Sequence, residues 1–240
     1  MGIYDKQSIG AWVSADPYVG RGIVIGKAED GKKAVFGYFI MGRSENSRNR
    51  VFVEKENDEV MIYPHDESKV EDPSLIIYSP IKKHENKLIV TNGDQTDTIY
   101  NFIKEGKSFE DALDTREFEP DAPNLTPRIS GMLTFGESDF TYKMSILKSA
   151  DAEGTACNRY TYSYPSVNGL GHFIHTYAWN ADPLPTFQGE PKRVAMVADI
   201  DAFTADIWEN LNAENKISLY VRYVDLETGA VENRMINKNQ

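Results

Sequence analysis

The sequence predicts an α+β fold, built from mostly antiparallel strands with a few helices in one domain over residues 1–240. Three observations carry this. Short runs rich in β-branched and aromatic residues recur along the chain, bounded by Gly, Pro, Asn and Asp. Glu29-Asp30-Gly31-Lys32 sits between two apolar runs, as a hairpin turn does. From Asp201 to Asn212, Phe203, Ile207, Trp208 and Leu211 share one helical face. The 240 residues suffice for one sizeable core, and 40% apolar content with 13 Tyr and 11 Phe marks an ordered chain. No internal repeat or low-complexity linker interrupts it.

Residues 1–17 are polar, with Trp12 and Val13 as anchors, and form a leader ending at Asp16-Pro17. Tyr18 to Gly26 is a strand punctuated by glycines; no helix signal follows Gly20-x-Gly22, so it is not a dinucleotide fingerprint. Ala34 to Ile40 is a buried strand, Val51-Phe52-Val53 begins another, and Glu59 to Pro64 is a short one. His65 to Asp72 is an acidic loop, and Leu75 to Tyr78 is a short apolar strand ending in a phenol. A lysine-rich turn leads to Leu88-Ile89-Val90. Thr91 to Thr98 is a polar run that opens a helix over Thr98–Lys104, and Ser108 to Asp111 is a capping box for a second. Pro120, Pro123 and Pro127 make the connector from Phe118 to Arg128 extended and stiff. Strands follow at 129–135, Phe140–Leu147, Arg159–Tyr164, His172–Trp179, Val194–Ala198 and Ile217–Val224.

Charge and composition exclude several classes. A net charge of −11 argues against nucleic-acid or anionic-membrane binding, which needs a broad basic face. The single Cys157 excludes an internal disulfide and a Cys-rich zinc site. No apolar run reaches membrane-span length and no signal h-region is present, so a cytoplasmic protein is expected. His172 and His175, three apart, face opposite sides of a strand, and no metal is expected. The nucleophile elbow G-x-S-x-G is absent, since Gly136-Glu137-Ser138-Asp139 runs into Phe140.

Met41 to Arg50 stands out on this acidic background. It places Arg43, Arg48 and Arg50 among small polar side chains between two strands. The guanidinium fork matches a phosphate or carboxylate, so such a cluster suits one small anion. Three other polar segments lie at strand ends: Tyr78, the Thr91–Thr98 run, and the connector from Glu119 to Arg128. Each alone also fits an ordinary structural role: a core phenol, a helix cap, a surface carboxylate, a strand entry.

In this order, the segments resemble the archaeal-type IMP cyclohydrolase family. The matching stretches are Tyr18-x-Gly20-Arg21 with Ile23 to Gly26, Ser44 to Arg50, Pro73 to Tyr78, Asn92-Gly93 with Thr96 to Ile99, and Glu119 through Thr126-Pro127-Arg128. The match covers roughly residues 18–135. The leader and the longer second half, with Gly169-Leu170-Gly171-His172, depart from the archaeal pattern.

The resemblance implies a four-layer αββα sandwich of two antiparallel sheets, similar to N-terminal nucleophile hydrolases but without their self-processed nucleophile. Gly2 after Met1 agrees. It implies a hydrolase of purine biosynthesis that closes 5-formamidoimidazole-4-carboxamide ribonucleotide to IMP with loss of water, needing no cofactor. The small nucleotide is then the partner, and a homo-oligomer stays open. Arg50, Tyr78 and Glu119 align with the family's catalytic set. Arg21, Arg43, Arg48 and Arg128 are candidates for the 5′-phosphate, Asn92, Gly93, Thr96 and Asp97 for ribose or base, and Asn49 and Thr126 for substrate binding. Which arginine takes phosphate, and how the catalytic roles divide, is open at this level. Two other readings stand beside it: a non-catalytic purine-nucleotide-binding module, and a different amide hydrolase on the same fold.

Overall fold

The computed structural model describes residues 2–70 and 77–239. Two antiparallel sheets carry the fold. The first has six strands, β1 (Arg21–Lys27), β2 (Lys33–Met41), β10 (Leu170–His175), β11 (Lys192–Ala195), β12 (Lys216–Asp225) and β13 (Val231–Asn237), in the order β11-β10-β1-β2-β12-β13. The second has seven in sequence order: β3 (Val51–Glu54), β4 (Val60–Tyr63), β5 (Ile81–His84), β6 (Lys87–Thr91), β7 (Arg128–Phe135), β8 (Phe140–Ser149) and β9 (Cys157–Pro165).

Side chains alternate along a strand, so each sheet has two faces to cover. Ile23, Ile25, Phe36, Tyr38 and Tyr220 of the first sheet meet Ile62, Val90, Ile129 and Met144 of the second in one buried cluster. The outer face of the first sheet, with Val24, Phe39, Phe173 and Val221, is covered by α1 (Ile9–Ser14) and α5 (Ile200–Asn210) through Ile9, Val13, Phe203 and Ile207. The outer face of the second, with Ile89, Met132 and Leu147, is covered by α3 (Gln95–Lys104) and α4 (Phe109–Asp114) through Ile99, Phe109 and Leu113. The result is α+β in four layers, helices outside and sheets inside. Because both faces of β1 and β2 are covered, these strands are apolar almost throughout instead of alternating.

Several local expectations hold. The capping box at Ser108 forms reciprocally with Asp111. The helix expected over Asp201–Asn212 is α5, Ile200–Asn210, where Asp199 accepts from the backbone N–H groups of Asp201 and Ala202. His172 and His175 occupy opposite faces of β10: His172 bonds the Tyr142 hydroxyl across the sheets at 2.7 Å, whereas His175 stacks on Phe173.

Others are corrected. The leader contains a helix, with Ser8 as N-cap and Ile9 and Val13 buried against α5. The Arg-rich stretch is not all loop: Glu45–Arg48 forms a single helical turn, α2, capped reciprocally by Ser44 and Ser47. The lysine-rich turn is strand β5, paired with β6 around Glu85, whose φ is +49°. Helix α3 begins at Gln95, three residues earlier than expected. The connector before β7 is not extended throughout. A turn at residues 122–124 folds it back, so that Glu119 N–H donates to the Thr126 carbonyl at 2.9 Å. The strand from His172 ends at His175, and β13 was not foreseen. Leu75 and Ile76 of the expected apolar strand lie outside the described residues, and Ile77 and Tyr78 are not in a strand. No helix among the described residues is long and apolar enough to cross a membrane.

Candidate active site

One end of the sandwich gathers the polar segments. Arg21 opens β1, Arg43 to Arg50 link β2 to β3, Tyr78 precedes β5, Gly93 and Asp94 follow β6, Glu119 to Arg128 enter β7, and Tyr177 follows β10. Antiparallel pairing puts these termini together: Arg21 lies opposite Ile40, Thr91 opposite Ser130, and Thr176 N–H donates to the Arg21 carbonyl. Gly20, with φ of +79°, makes the bend into β1, and a Cβ there would lie 2.0 Å from the Thr176 hydroxyl oxygen.

Between the segments lies a cavity of about 610 Å³. Arg21, Arg43, Arg50, Tyr78, Glu119 and Arg128 all line it, together with Gly93 and Thr126. Four guanidinium groups and three carboxylates (Asp94, Glu119, Asp121) thus face one space in a chain of net charge −11. The volume falls in the range of small-ligand sites.

Tyr78, 9% exposed, donates its phenolic hydrogen to the Asn92 carbonyl at 2.7 Å, and the Tyr38 hydroxyl stands 3.4 Å away. Burial pushes both phenols above the usual tyrosine range; for Tyr78 the nearby Arg50 and Arg21 pull the other way. Loss of hydration raises the Glu119 carboxyl, opposed by Arg21 and Arg128. Arg50 is disfavoured as a cation, first by burial and then by Arg21 beside it. Burial acts the same way on Arg21, but Tyr18, Tyr177, Tyr78 and Glu119 outweigh it and hold its pKa above the usual arginine value. Among the described residues, the Nε atoms of Arg21 and Arg50 are buried with no hydrogen-bond partner. Buried donors without partners are uncommon, because each forfeits its hydration.

Arg128 is held by its neighbours. Its Nη1 lies 2.7 Å from Asp94, 2.8 Å from the Gln95 side-chain oxygen and 4.0 Å from Glu119. Asp94 also takes Arg116 at 2.6 Å, so this N-cap residue of α3 makes no side-chain cap bond. A Cβ on Gly93 would lie 2.5 Å from Arg128 Nη1 and 3.5 Å from the Glu119 carboxylate, so this glycine leaves the room both groups occupy. Arg43 donates to Asn180 and to the Ala181 carbonyl and lies over the Tyr18 ring, which stacks on Tyr177.

Five expected ligand residues do not line the cavity. Arg48 turns back to the Gly42 carbonyl and Asn215. Asn49 exchanges two bonds with the Asp66 backbone. Asn92 is buried; its side-chain Oδ1 accepts from Ile129 N–H and Gln95 Nε2, and its side-chain Nδ2 donates to the Pro127 carbonyl. Thr96 bonds Thr91 and the Gly93 carbonyl. Asp97 sits on the surface, paired with Lys82 at 2.6 Å. The first four brace the walls of the cavity through these bonds. Conversely, Tyr18, Ser44, Ser47, Asp94, Asp121, Asn124, Tyr177 and Leu184 line the cavity without having been singled out. Most stand inside or beside segments the sequence does mark. Tyr177 and Leu184 come from the second half, where no local pattern distinguishes them. Among the described residues no group of three or more His, Cys, Asp or Glu is arranged to hold a metal.

A family described as IMP cyclohydrolase-like protein matches residues 18–229. The chain is 32% identical over 164 residues to an IMP cyclohydrolase of Methanococcus aeolicus, covering 67% of this chain and 74% of the relative. To one from Methanopyrus kandleri it is 30% identical over 185 residues, covering 71% and 89%. A third, from Methanococcus maripaludis, is 33% identical over 168 residues, covering 63% and 82%. The match runs through both sheets and every segment lining the cavity, and the chain belongs to the IMP cyclohydrolase-like protein family.

Proposed function

We propose that the chain is an IMP cyclohydrolase, converting 5-formamidoimidazole-4-carboxamide ribonucleotide to IMP and water in the cavity lined by Arg21, Arg50, Tyr78 and Glu119. The observation that carries the reading is the pair of buried, unpartnered Nε donors of Arg21 and Arg50 beside a carboxyl and a phenol. Preorganised donors of this kind stabilise charge that develops on an oxygen.

In the reaction, the carboxamide nitrogen attacks the formyl carbon of the same imidazole. Both groups are on one ring, so rotation into a near-attack pose replaces an encounter. Glu119, whose carboxyl is held above the usual carboxylate range by burial, takes the proton from the carboxamide nitrogen as the C–N bond forms. Arg21 and Arg50 hold the negative charge that builds on the formyl oxygen. The proton held by Glu119 returns to that oxygen, and the resulting hydroxyl leaves as water on taking a second proton from Tyr78, while the former formamido nitrogen gives its hydrogen back to the phenolate as the ring C=N forms. Tyr78 passes the proton to the departing hydroxyl, exchanging its bond to the Asn92 carbonyl for one to substrate. Arg43 and Arg128 are the remaining cavity arginines for the 5′-phosphate. Arg48, Asn49, Asn92 and Thr96 act through the walls, and Asp97 stays on the surface. One domain over residues 1–240 and cytoplasmic residence are part of the same proposal. The acidic net charge supports a small nucleotide partner over nucleic acid or an anionic membrane.

The test is a rate. Purified protein given the formylated ribonucleotide is expected to form IMP far faster than the uncatalysed closure. Binding of IMP without any acceleration would leave the non-catalytic module as the better description.

A further inference from the structure

The second half of the chain contributes a hydrogen bond whose direction is fixed. The Thr126 hydroxyl donates its only hydrogen to the Asp121 carboxylate at 2.5 Å, and Thr126 N–H donates to the same group at 2.6 Å. The Tyr177 phenol oxygen lies 2.7 Å from the Thr126 oxygen. With the threonine hydrogen committed to Asp121, the bond between the two hydroxyls can only be donated by Tyr177. Among the described residues Thr126 is the hydrogen-bond partner of this phenol, so what Tyr177 offers a ligand is an acceptor lone pair and not a donor. Asp121, Thr126 and Tyr177 all line the cavity. The Tyr177 ring is held by stacking on Tyr18, at 5.8 Å between centroids and 22° between planes.

The position of this acceptor is also defined. Thr176 N–H donates to the Arg21 carbonyl and Tyr177 N–H to the Val19 carbonyl, so Tyr177 is anchored beside the start of β1. Arg21, Arg50, Tyr78 and Glu119 line the same cavity. With the reacting base beside Arg50, Tyr78 and Glu119 as proposed, the sugar and phosphate are left for the rest of the cavity, whose lining includes Tyr177. The sugar's hydroxyls are the donors it brings there.

We infer that Tyr177 is a specificity-determining residue that accepts a hydrogen bond from a ribose hydroxyl, with Asp121 and Thr126 as positioning residues that fix its polarity. The inference rests on the cavity being the nucleotide site, not on turnover. The experiment compares binding of IMP with that of its 2′-deoxy, 3′-deoxy and corresponding fluoro-deoxy analogues, by calorimetry on wild type and on Tyr177→Phe, which keeps the ring stacked on Tyr18. In wild type, one deoxy analogue is expected to bind about tenfold more weakly than IMP, the scale of one net hydrogen bond. The fluoro analogue at the same carbon should bind as weakly, since fluorine cannot donate. In Tyr177→Phe, IMP should fall to the level of that deoxy analogue. Equal binding of all analogues by wild type overturns the inference without needing the variant. So does a fluoro analogue that binds like IMP, or a phenylalanine variant that keeps its preference. If neither IMP nor any analogue binds, both this inference and the nucleotide reading fall. If discrimination appears in a protein that turns nothing over, only the cyclohydrolase reading falls.

Discussion

The phenol of Tyr78 donates to the backbone carbonyl of Asn92 at 2.7 Å, joining one of the cavity's buried tyrosines to the turn after β6. The bond explains why Asn92 belongs to the site without touching it. Its side chain closes the turn onto the start of β7, and its carbonyl sets the direction of the phenol.

Tyr78→Phe keeps the ring packed against the inter-sheet core and removes the group proposed to move a proton. The expected result is a fall in kcat on the order of 10²–10⁴-fold with little change in KM, the pattern of an interaction made in the transition state. Steady-state kinetics on the formylated ribonucleotide measures both.

Asn92→Ala and Asp97→Asn should separate wall from surface. Asn92 is 3% exposed and makes three side-chain hydrogen bonds, so truncation strands buried partners at about 1–3 kcal/mol each and should lower Tm markedly. Asp97 is an exposed partner of Lys82, and its neutralisation should change stability by about 1 kcal/mol or less and leave kcat/KM near wild type. Thermal melts together with one kinetic comparison settle each. A large loss of activity in a fully stable Asp97→Asn protein would return that residue to the ligand set.

Gly93→Ala introduces a methyl 2.5 Å from Arg128 Nη1 and 2.6 Å from the Gln95 oxygen. Arg128 is pinned by Asp94 and Gln95, so it must leave that arrangement or the backbone must shift. KM is expected to rise about tenfold, the value of roughly one charge-assisted hydrogen bond to the nucleotide.

Glu119→Gln tests the cost of a desolvated carboxylate. Because the folded protein raises this pKa, it binds the proton more tightly than the unfolded chain does. That contribution favours folding below the unfolded pKa and is lost as pH rises through the folded one. Glutamine stays neutral and escapes the loss. The variant should therefore melt higher than wild type near neutral pH, with the advantage shrinking in acid, while its cyclisation rate collapses. In wild type, kcat/KM should fall as pH drops, starting above the ordinary carboxylate range.

How far the sequence reaches is visible residue by residue. The apolar strands of both sheets and the face of α5 follow from local periodicity. So does the Arg-rich linker, although reciprocal capping by Ser44 and Ser47 turns part of it into helix. Arg21, Arg50, Tyr78, Glu119 and Arg128 converge because they sit at strand ends, a property of position in the chain. Asn92 and Thr96 have the right chemistry for ligands, but their bonds are spent on backbone, and only tertiary structure decides that. Tyr177 lies 51 residues from Thr126, and nothing local in the sequence announces the pairing. β13 escapes notice because its pattern is polar, being an edge strand against β12.

The most direct measurement is a crystal structure with IMP bound. The purine is expected beside Tyr78 and Glu119, with the Nε groups of Arg21 and Arg50 turned to ligand oxygens within hydrogen-bond distance. IMP bound outside this cavity, or inside it with both Nε groups still unpartnered, would contradict the claim that these arginines and this cavity make the site.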